Sequence, residues 1–173
     1  DGAYTLSVEA LMRDAFVTQR TDLDVNFNND VITPPVNTNQ FQPAAGRPPV
    51  NGEPFIVAAG GDGASGEINS GLVTDLIAAV NPNMFLWLGD VMEKGSPAEF
   101  YNWYGAENTY FGQFRSITNP TIGNHDYVGG VASGYFYYWD NIPDYYSYDA
   151  NGWHFVSLNS NYDHVNVDTN SDQ

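Results

Sequence analysis

Side chains able to bind metal ions follow a glycine at three places in the sequence. Asp62 and Asp90 each come directly after a glycine, and Asn124, His125 and Asp126 follow a third. Carboxylate and amide oxygens bind hard cations, whereas imidazole binds transition metals or transfers a proton near neutral pH. Carboxylates that lie close together repel one another, and a divalent cation removes that repulsion. These residue types therefore favour a metal site.

The glycines stand at the ends of three predicted strands. Residues 55–59 and 84–88 are short apolar runs, and residues 115–122 supply a third strand. Aliphatic residues at helical spacing predict a helix over 69–80, and Pro97 can begin a second helix. This alternation is typical of a mostly parallel α/β sheet, in which the carboxyl ends of the strands share one edge and bind ligands there.

A turn or a helix cap is the simpler explanation of any single Gly-Asp pair at the end of a strand. Three such places at the ends of successive strands, the last with Asn, His and Asp together, are harder to explain in that way. We therefore expect Asp62, Asp90 and Asn124 to point to one place just beyond the tips of neighbouring strands.

The series Gly-Asp, Gly-Asp and Gly-Asn-His-Asp resembles the motif set of the calcineurin-like metallophosphoesterases. Residues 55–161 are similar to an exported bacterial branch of that family related to purple acid phosphatases, above all at residues 88–95 and 120–127. The resemblance implies the amino-terminal half of a metallophosphoesterase β-sandwich. Its mostly parallel sheet would have flanking helices and would follow an extended, β-rich amino-terminal arm.

For the site, the resemblance implies two divalent or trivalent metal ions of the iron, manganese or zinc class that act on a phosphoester substrate. Asp62 would be a terminal ligand of the first ion, Asp90 would bridge both, and Asn124 would bind the second through its amide oxygen. His125 would contact the phosphoryl oxygen or protonate the leaving group, and Asp126 would orient the imidazole. Two ions about 3.5–4 Å apart polarise the phosphoryl group and generate hydroxide near neutral pH.

The sequence departs from the family pattern in two respects. Purple acid phosphatases place a metal-binding tyrosine three residues after the bridging aspartate, where this chain has Glu93, a residue that could bind metal or pair with Lys94 or Arg115. The family also needs several later imidazoles, whereas only His154 and His164 remain. We expect His154 to be a packed or half-exposed strand residue and His164 to be solvated. The ligand set is therefore incomplete and indicates a missing carboxyl-terminal half.

Three segments make up the predicted domain organisation. Residues 1–32 alternate apolar and polar side chains and form a strand-bearing amino-terminal arm. Residues 33–54 hold six of the ten prolines and are predicted as an extended linker. Residues 55–173 form the amino-terminal half of the phosphoesterase domain, incomplete at its carboxyl terminus. They include a hairpin that turns at 151–152 and an aromatic loop at 134–139 that packs internally, walls the substrate site or joins other subunits.

The chain is strongly acidic. Its 21 aspartates and glutamates stand against five lysines and arginines, for a formal net charge of −16. This charge repels phosphate backbones and excludes nucleic acid as a general partner, although it would also suit calcium. Because the chain has no cysteine, any metal must be held by oxygen and imidazole donors. No apolar run reaches the ~18 residues that a membrane helix needs.

The first residue, Asp1, and the lack of cysteine suit a processed protein that is secreted, whether extracellular, periplasmic or at the cell surface. In the complete protein we expect phosphoester hydrolysis by a two-metal mechanism, with this chain supplying only part of the site. The alternative is a non-catalytic exported subunit that keeps the phosphoesterase scaffold and assembles through its arm and an unpaired sheet edge.

Overall fold

A parallel three-stranded sheet lies at the centre of the fold. The computed structural model describes residues 38–127 and 129–173, so the arm predicted over residues 1–32 lies outside the described residues. The strands, in their order across the sheet, are β1 (Val57–Gly60), β2 (Met84–Trp87) and β3 (Thr118–Pro120). Both strand pairings are parallel, which confirms an α/β architecture with a parallel sheet.

Helices connect the strands and flank the sheet. They are α1 (Ile68–Val80), α2 (Pro97–Glu99), which continues into a π-helix (Phe100–Gly105), a 3-10 helix (Tyr110–Ile117) and α3 (Ser133–Tyr138). Helix α2 begins with a proline and a capping box, in which the Ser96 and Glu99 side chains each accept the backbone amide of the other. No helix in the part of the chain that the structure describes is long and apolar enough to cross a membrane.

Aromatic side chains of β2 build the core. Phe85 and Trp87 share one face of the strand, because side chains alternate along it, and both are fully buried. The Trp87 ring centre lies 5.0 Å from that of Tyr104 and 4.9 Å from that of Phe111. The Phe85 ring centre lies 5.4 Å from that of Phe114. The π-helix and the 3-10 helix thus cover this face of the sheet with aromatic rings.

The third strand is shorter than predicted. Of residues 115–122 only Thr118–Pro120 pair with β2, because the residues before them belong to the 3-10 helix. Arg115 in that helix donates to the carbonyl oxygen of Tyr138 at 2.8 Å and to the carboxylate of Asp140 at 2.7 Å. Its side chain therefore ties the 3-10 helix to the segment around α3.

Helix α1 packs a partly polar side inward. Ser70 and Thr74 are buried and Ile77 is half-buried. The Ser70 hydroxyl donates to the carbonyl oxygen of Gly63 at 2.7 Å, which satisfies a polar group beneath the helix. Four aliphatic side chains spaced four residues apart are exposed instead, and we call them the aliphatic column of α1. They are Ile68, Leu72, Leu76 and Val80.

The predicted hairpin is confirmed. Strands β4 (Tyr146–Ala150) and β5 (Trp153–Ser157) are antiparallel and are joined at Asn151 and Gly152, whose φ angles are 47° and 81°. Two successive positive φ angles suit the twist of a two-stranded ribbon, and Asn-Gly adopts them at low cost. The Tyr146 hydroxyl donates to the last carbonyl of β3 at 2.7 Å, which attaches the hairpin to the parallel sheet.

Of the residues predicted as an aromatic loop over 134–139, all but Trp139 belong to helix α3 instead, and Trp139 directly follows that helix. Tyr135, Tyr138 and Trp139 are buried there, with ring centres of the last two 4.9 Å apart. The Tyr138 hydroxyl donates to the carbonyl oxygen of Gly105 at 2.6 Å, so the helix is joined to the π-helix. Of the three roles that the sequence left open for this segment, internal packing is the one that these buried rings perform.

The described part of the proline-rich segment, residues 38–54, has no helix or strand and is hydrogen-bonded to the sheet region. The Arg47 amide and guanidinium donate to the carbonyl oxygens of Asn83 and Pro82, both at 2.7 Å. The Asn119 side chain bonds the amide and the carbonyl of Ala44 at 2.8 and 2.9 Å. Residues 38–54 therefore belong to the same compact unit as the sheet.

Truncation of the central core residue should be costly. We expect Trp87→Ala to lower the free energy of unfolding by about 3–5 kcal/mol, because the lost indole leaves a cavity that its neighbours fill only in part. Trp153→Ala is the matched control, since that side chain is 69% exposed, and it should cost less than about 1 kcal/mol. Urea denaturation followed by circular dichroism measures both changes, and equal losses would contradict this core.

Candidate metal centre

Asp62 and Asp90 occupy equivalent positions at the carboxyl ends of neighbouring strands. Their φ angles are 56° and 67°, a region uncommon for residues other than glycine and entered most readily by Asp and Asn. The turn after β1 is bonded to the turn after β2, because the Asp62 amide donates to the carbonyl oxygen of Gly89 at 3.1 Å. The two carboxylates thus emerge from adjoining turns.

The turn after β3 packs directly against the turn after β2. A Cβ built on Gly89 would lie 2.6 Å from the Gly123 nitrogen, and one built on Gly123 would lie 2.5 Å from the Asp90 nitrogen. Glycine is therefore required at both positions by the close approach of two backbones. This contact brings Asn124 and the residues after it to the rim beside Asp90.

Asp126 is the buried side chain that joins these two turns. Its carboxylate is shielded from solvent and accepts the amides of Asp90 at 3.2 Å, Val91 at 2.9 Å and Gly123 at 2.8 Å. Burial raises the pKa of Asp126 to about 6, although the three amides act in the opposite direction. Because one carboxylate bonds both turns, it fixes their separation.

His125 is exposed but anchored at two points. Its amide donates to the Asp90 carboxylate at 2.8 Å, and its Nδ1 lies 3.1 Å from the carbonyl oxygen of Glu93. Because a carbonyl only accepts, Nδ1 carries a proton and Nε2 is the nitrogen that can gain or deliver one. The bond to Glu93 raises the pKa of His125, slight burial lowers it, and the carboxylates of Asp90, Glu93 and Asp62 raise it further. The imidazole therefore lies in the field of both candidate ligand carboxylates.

The contacts of Asp126 differ from the role that the resemblance implied. Its carboxylate was expected to orient the His125 imidazole, but its oxygens are taken by backbone amides, and the carbonyl of Glu93 positions the ring instead. Of the roles left open for Glu93, the ion pair with Arg115 is not formed, because Arg115 pairs with Asp140 at 2.7 Å. Asp126 therefore acts on the backbone beneath the site, and Glu93 contributes its main chain.

The turns that carry the three candidate ligands adjoin one another at the carboxyl edge of the sheet. Asp90 is half-buried, whereas Asp62 and Asn124 are exposed at the same edge of the sheet. Among the residues that the structure describes, no three His, Cys, Asp or Glu side chains are placed to hold a metal ion by themselves. Two carboxylates and one amide oxygen are therefore what these turns offer to a cation.

The two remaining histidines make other contacts. His154 in β5 is more exposed than expected, and its Nδ1 lies 2.8 Å from the Asp149 carboxylate. His164 is exposed, as expected, but it also stacks on Tyr127 with ring centres 3.8 Å apart. The Asn159 side chain donates to the Tyr127 hydroxyl at 2.8 Å. The carboxyl-terminal segment thus covers the residue that directly follows the buried aspartate.

Two residues that shape the site received no role from the sequence. Gly95 has a φ of 57°, and a Cβ built there would lie 2.9 Å from the carbonyl carbon of Asp126. Glu99 accepts the amides of Glu93 and Lys94 at 3.0 and 3.1 Å. The sequence signal for Glu99 was a Ser-x-x-Glu pattern. That pattern predicts a helix cap, but it does not predict hydrogen bonds to the loop before the helix.

Comparison with known proteins finds one family. The calcineurin-like phosphoesterase model matches residues 68–172, a range that includes Asp90 and residues 124–126 and begins after Asp62. No curated protein and no solved structure matches the chain. Because the family model covers more than half of the sequence, the chain belongs to the calcineurin-like phosphoesterase family. Membership indicates phosphoester hydrolysis in general terms, and the family generally binds divalent metal ions.

Removal of the buried carboxylate should loosen both turns. We expect Asp126→Ala to lower the free energy of unfolding by at least about 3 kcal/mol, because three amides lose their acceptor at about 1–3 kcal/mol each. Asp163→Ala, at an exposed position, should have little effect. Amide hydrogen exchange gives the local measurement, and the amides of Asp90, Val91 and Gly123 should exchange faster in the first variant alone. Unchanged protection of these amides would contradict the assigned contacts.

Proposed function

We propose that the complete protein hydrolyses phosphoesters by a two-metal mechanism, with this chain supplying only part of the metal site. The observation that carries the proposal is the set of bonded turns at the carboxyl edge of the parallel sheet. Asp62 and Asp90 emerge there from adjoining turns, and the Gly-Asn-His-Asp turn packs against Asp90. Parallel sheets bind their ligands at this edge, and family membership supports the class of reaction.

The chemistry of the donors fits a cation of the iron, manganese or zinc class. Asp62 and Asp90 would hold the ions through carboxylate oxygens, with Asp90 shared between the two, and Asn124 through its amide oxygen. The bond from the His125 amide to one Asp90 oxygen limits rotation of that carboxylate. The chain has no thiolate to offer, so imidazoles would complete the donor set. When bound, such ions polarise the phosphoryl group and supply hydroxide near neutral pH.

His125 would act as a proton donor to the phosphoryl oxygen or to the leaving group. With Nδ1 held by the Glu93 carbonyl, Nε2 is left to donate to a phosphoryl oxygen or to the leaving group when the ring is charged. The pKa of His125 is raised first by the bond to Glu93 and then by nearby carboxylates, and both effects favour the charged form of the ring. Asp126 would contribute by holding the two turns, not by touching substrate.

Two features support a site that is completed by other residues. Two metal ions need about five or six donors each, and the three candidate ligands cannot supply that number. The aliphatic column of α1 is also uncovered, with Leu72 and Leu76 exposed by 57% and 70%. An apolar face of this kind is usually covered in a larger fold or assembly. A further segment of the parent protein would supply both the imidazoles and the cover.

We place the protein in the exported branch related to purple acid phosphatases and outside the cytoplasm. The similarity at residues 88–95 and 120–127 supports the branch, and an asparagine-rich, aromatic chain without cysteine suits export. Fractionation of the source cells tests the location. We expect the protein in the secreted, periplasmic or surface fraction, and recovery in the cytoplasm would refute it.

Metal content and turnover of the complete protein test the reaction. We expect stoichiometric metal and hydrolysis of p-nitrophenyl phosphate, with Asp90→Asn reducing turnover about 100-fold or more, because the shared carboxylate holds both ions. Asp163→Asn is the control for a lost surface charge and should retain turnover. Full activity of Asp90→Asn would reject the mechanism. Full activity of the 173-residue chain alone would reject the partial site.

The rival is a non-catalytic exported subunit built on the same scaffold. It is favoured by the aliphatic column of α1 and by the two edges of the described sheet, β1 and β3, since sheet edges seek partners. Ordered polymers that contain neither metal nor turnover would support this rival. The same metal analysis and assay therefore separate the two functions.

A further inference from the structure

A carboxylate outside the candidate ligand set holds the loop that positions His125. Glu99 ends α2, and its Oε1 accepts the Glu93 amide at 3.0 Å. Its Oε2 accepts the amides of Lys94 at 3.1 Å and of Ser96 at 2.8 Å. Three of the four amides from residue 93 to residue 96 therefore end on one side chain. The fourth, of Gly95, donates to the Val91 carbonyl.

The surroundings of the Glu99 carboxyl group favour its ionised form. Partial burial raises the pKa of Glu99, but the amides of Ser96, Glu93 and Lys94 and the Ser96 hydroxyl outweigh burial and lower the pKa below its usual value. A charged acceptor makes stronger hydrogen bonds than a neutral one. The hydrogen bonds that Glu99 accepts from the loop amides are therefore strong, charge-assisted ones.

One peptide plane connects Glu99 to the imidazole. The amide of Lys94 and the carbonyl of Glu93 belong to the same planar, trans peptide unit, so they point in opposite directions. On one side of that plane the Lys94 amide donates to Glu99, and on the other the Glu93 carbonyl accepts from Nδ1 of His125 at 3.1 Å. Rotation of the plane would break both bonds together.

We propose that Glu99 is a positioning residue for His125. By fixing the peptide between Glu93 and Lys94, it keeps Nδ1 protonated and leaves Nε2 as the nitrogen that faces the reaction. The inference rests on the proposed function only for the task of His125, since the contacts from Glu99 to the imidazole all lie within the chain. The other role of Glu99 is to cap α2 together with Ser96, and that role has to be separated from positioning.

The tautomer of His125 is the direct readout. We would record imidazole nitrogen NMR spectra of the metal-free chain at a pH where the rings are neutral, with the three histidines assigned by substitution of His154 and His164. In the chain without substitutions, the Nδ1 signal of His125 should have the chemical shift of a protonated nitrogen. In Glu99→Ala it should move towards the average of two tautomers. Glu99→Gln, which keeps one acceptor oxygen, should give an intermediate shift.

Ser96→Ala is the matched control for the cap. It removes the hydroxyl that caps α2 but leaves the Glu99 bonds to the amides of Glu93 and Lys94, so the His125 tautomer should not change. Glu107→Ala controls for loss of an exposed negative charge. Amide NMR spectra show which variants remain folded. If Glu99→Ala does not fold, Glu99→Gln provides the test instead. An unchanged His125 signal in the Glu99 variants, or an equal change in Ser96→Ala, would overturn the inference.

Kinetics of the complete protein give the second readout. We expect Glu99→Gln to lower kcat about tenfold with KM and metal content unchanged, because it misplaces a proton donor and removes no ligand. A tautomer change with full kcat would overturn the positioning role. A parent protein that binds no metal and shows no turnover would instead overturn the proposed function, and the two failures are therefore distinguishable.

Discussion

The candidate site depends on one buried carboxylate. Backbone that leaves a sheet loses its ladder partners, and amides buried there must find other acceptors. Asp126 supplies the acceptor for two turns at once, and burial raises its pKa to about 6. The backbones of Gly89 and Gly123 lie in close contact, and Asp90 has a left-handed backbone conformation. Both features are consistent with two turns that are held together by the buried carboxylate. The spacing of these candidate turns is thus set by hydrogen bonds within the protein.

A second carboxylate extends the same principle along the chain. Asp126 holds the amides at residues 90 and 91, and Glu99 holds those at 93, 94 and 96. Between them, two anions anchor most of the loop after β2 through its main chain, so its outward side chains need no structural contacts of their own. Sites that are rigid before the ligand binds lose less free energy on ordering, and donors aimed in advance stabilise charge more effectively. The loop is held in place by residues that lie outside the candidate ligand set.

Local patterns in the sequence predicted the elements that depend on local rules. Two apolar runs became β1 and β2, and Asn151-Gly152 marked the hairpin. The stretch over 115–122 was only partly a strand, because residues 115–117 complete a 3-10 helix that begins at Tyr110. The burial of Ser70 beneath α1 could not be predicted, since it depends on a carbonyl seven residues away. The partners of Asp126 and Glu99 were missed for a related reason. They are backbone amides, which every residue but proline carries and no sequence pattern reveals.

The few basic side chains of the described residues are mostly engaged within the fold. Arg47 donates to the Pro82 carbonyl and Arg115 pairs with Asp140, which leaves Lys94 to face solvent. An anionic ester that approaches the acidic sheet edge before cations bind would therefore meet a repulsive field, whose reach shrinks from about 30 Å at 0.01 M salt to about 10 Å at 0.1 M. Electrostatic steering normally speeds the encounter of opposite charges and fades as salt is added. At an edge without bound cations the sign is reversed, so added salt would speed the approach of a phosphoester where it slows that of an attracted ligand.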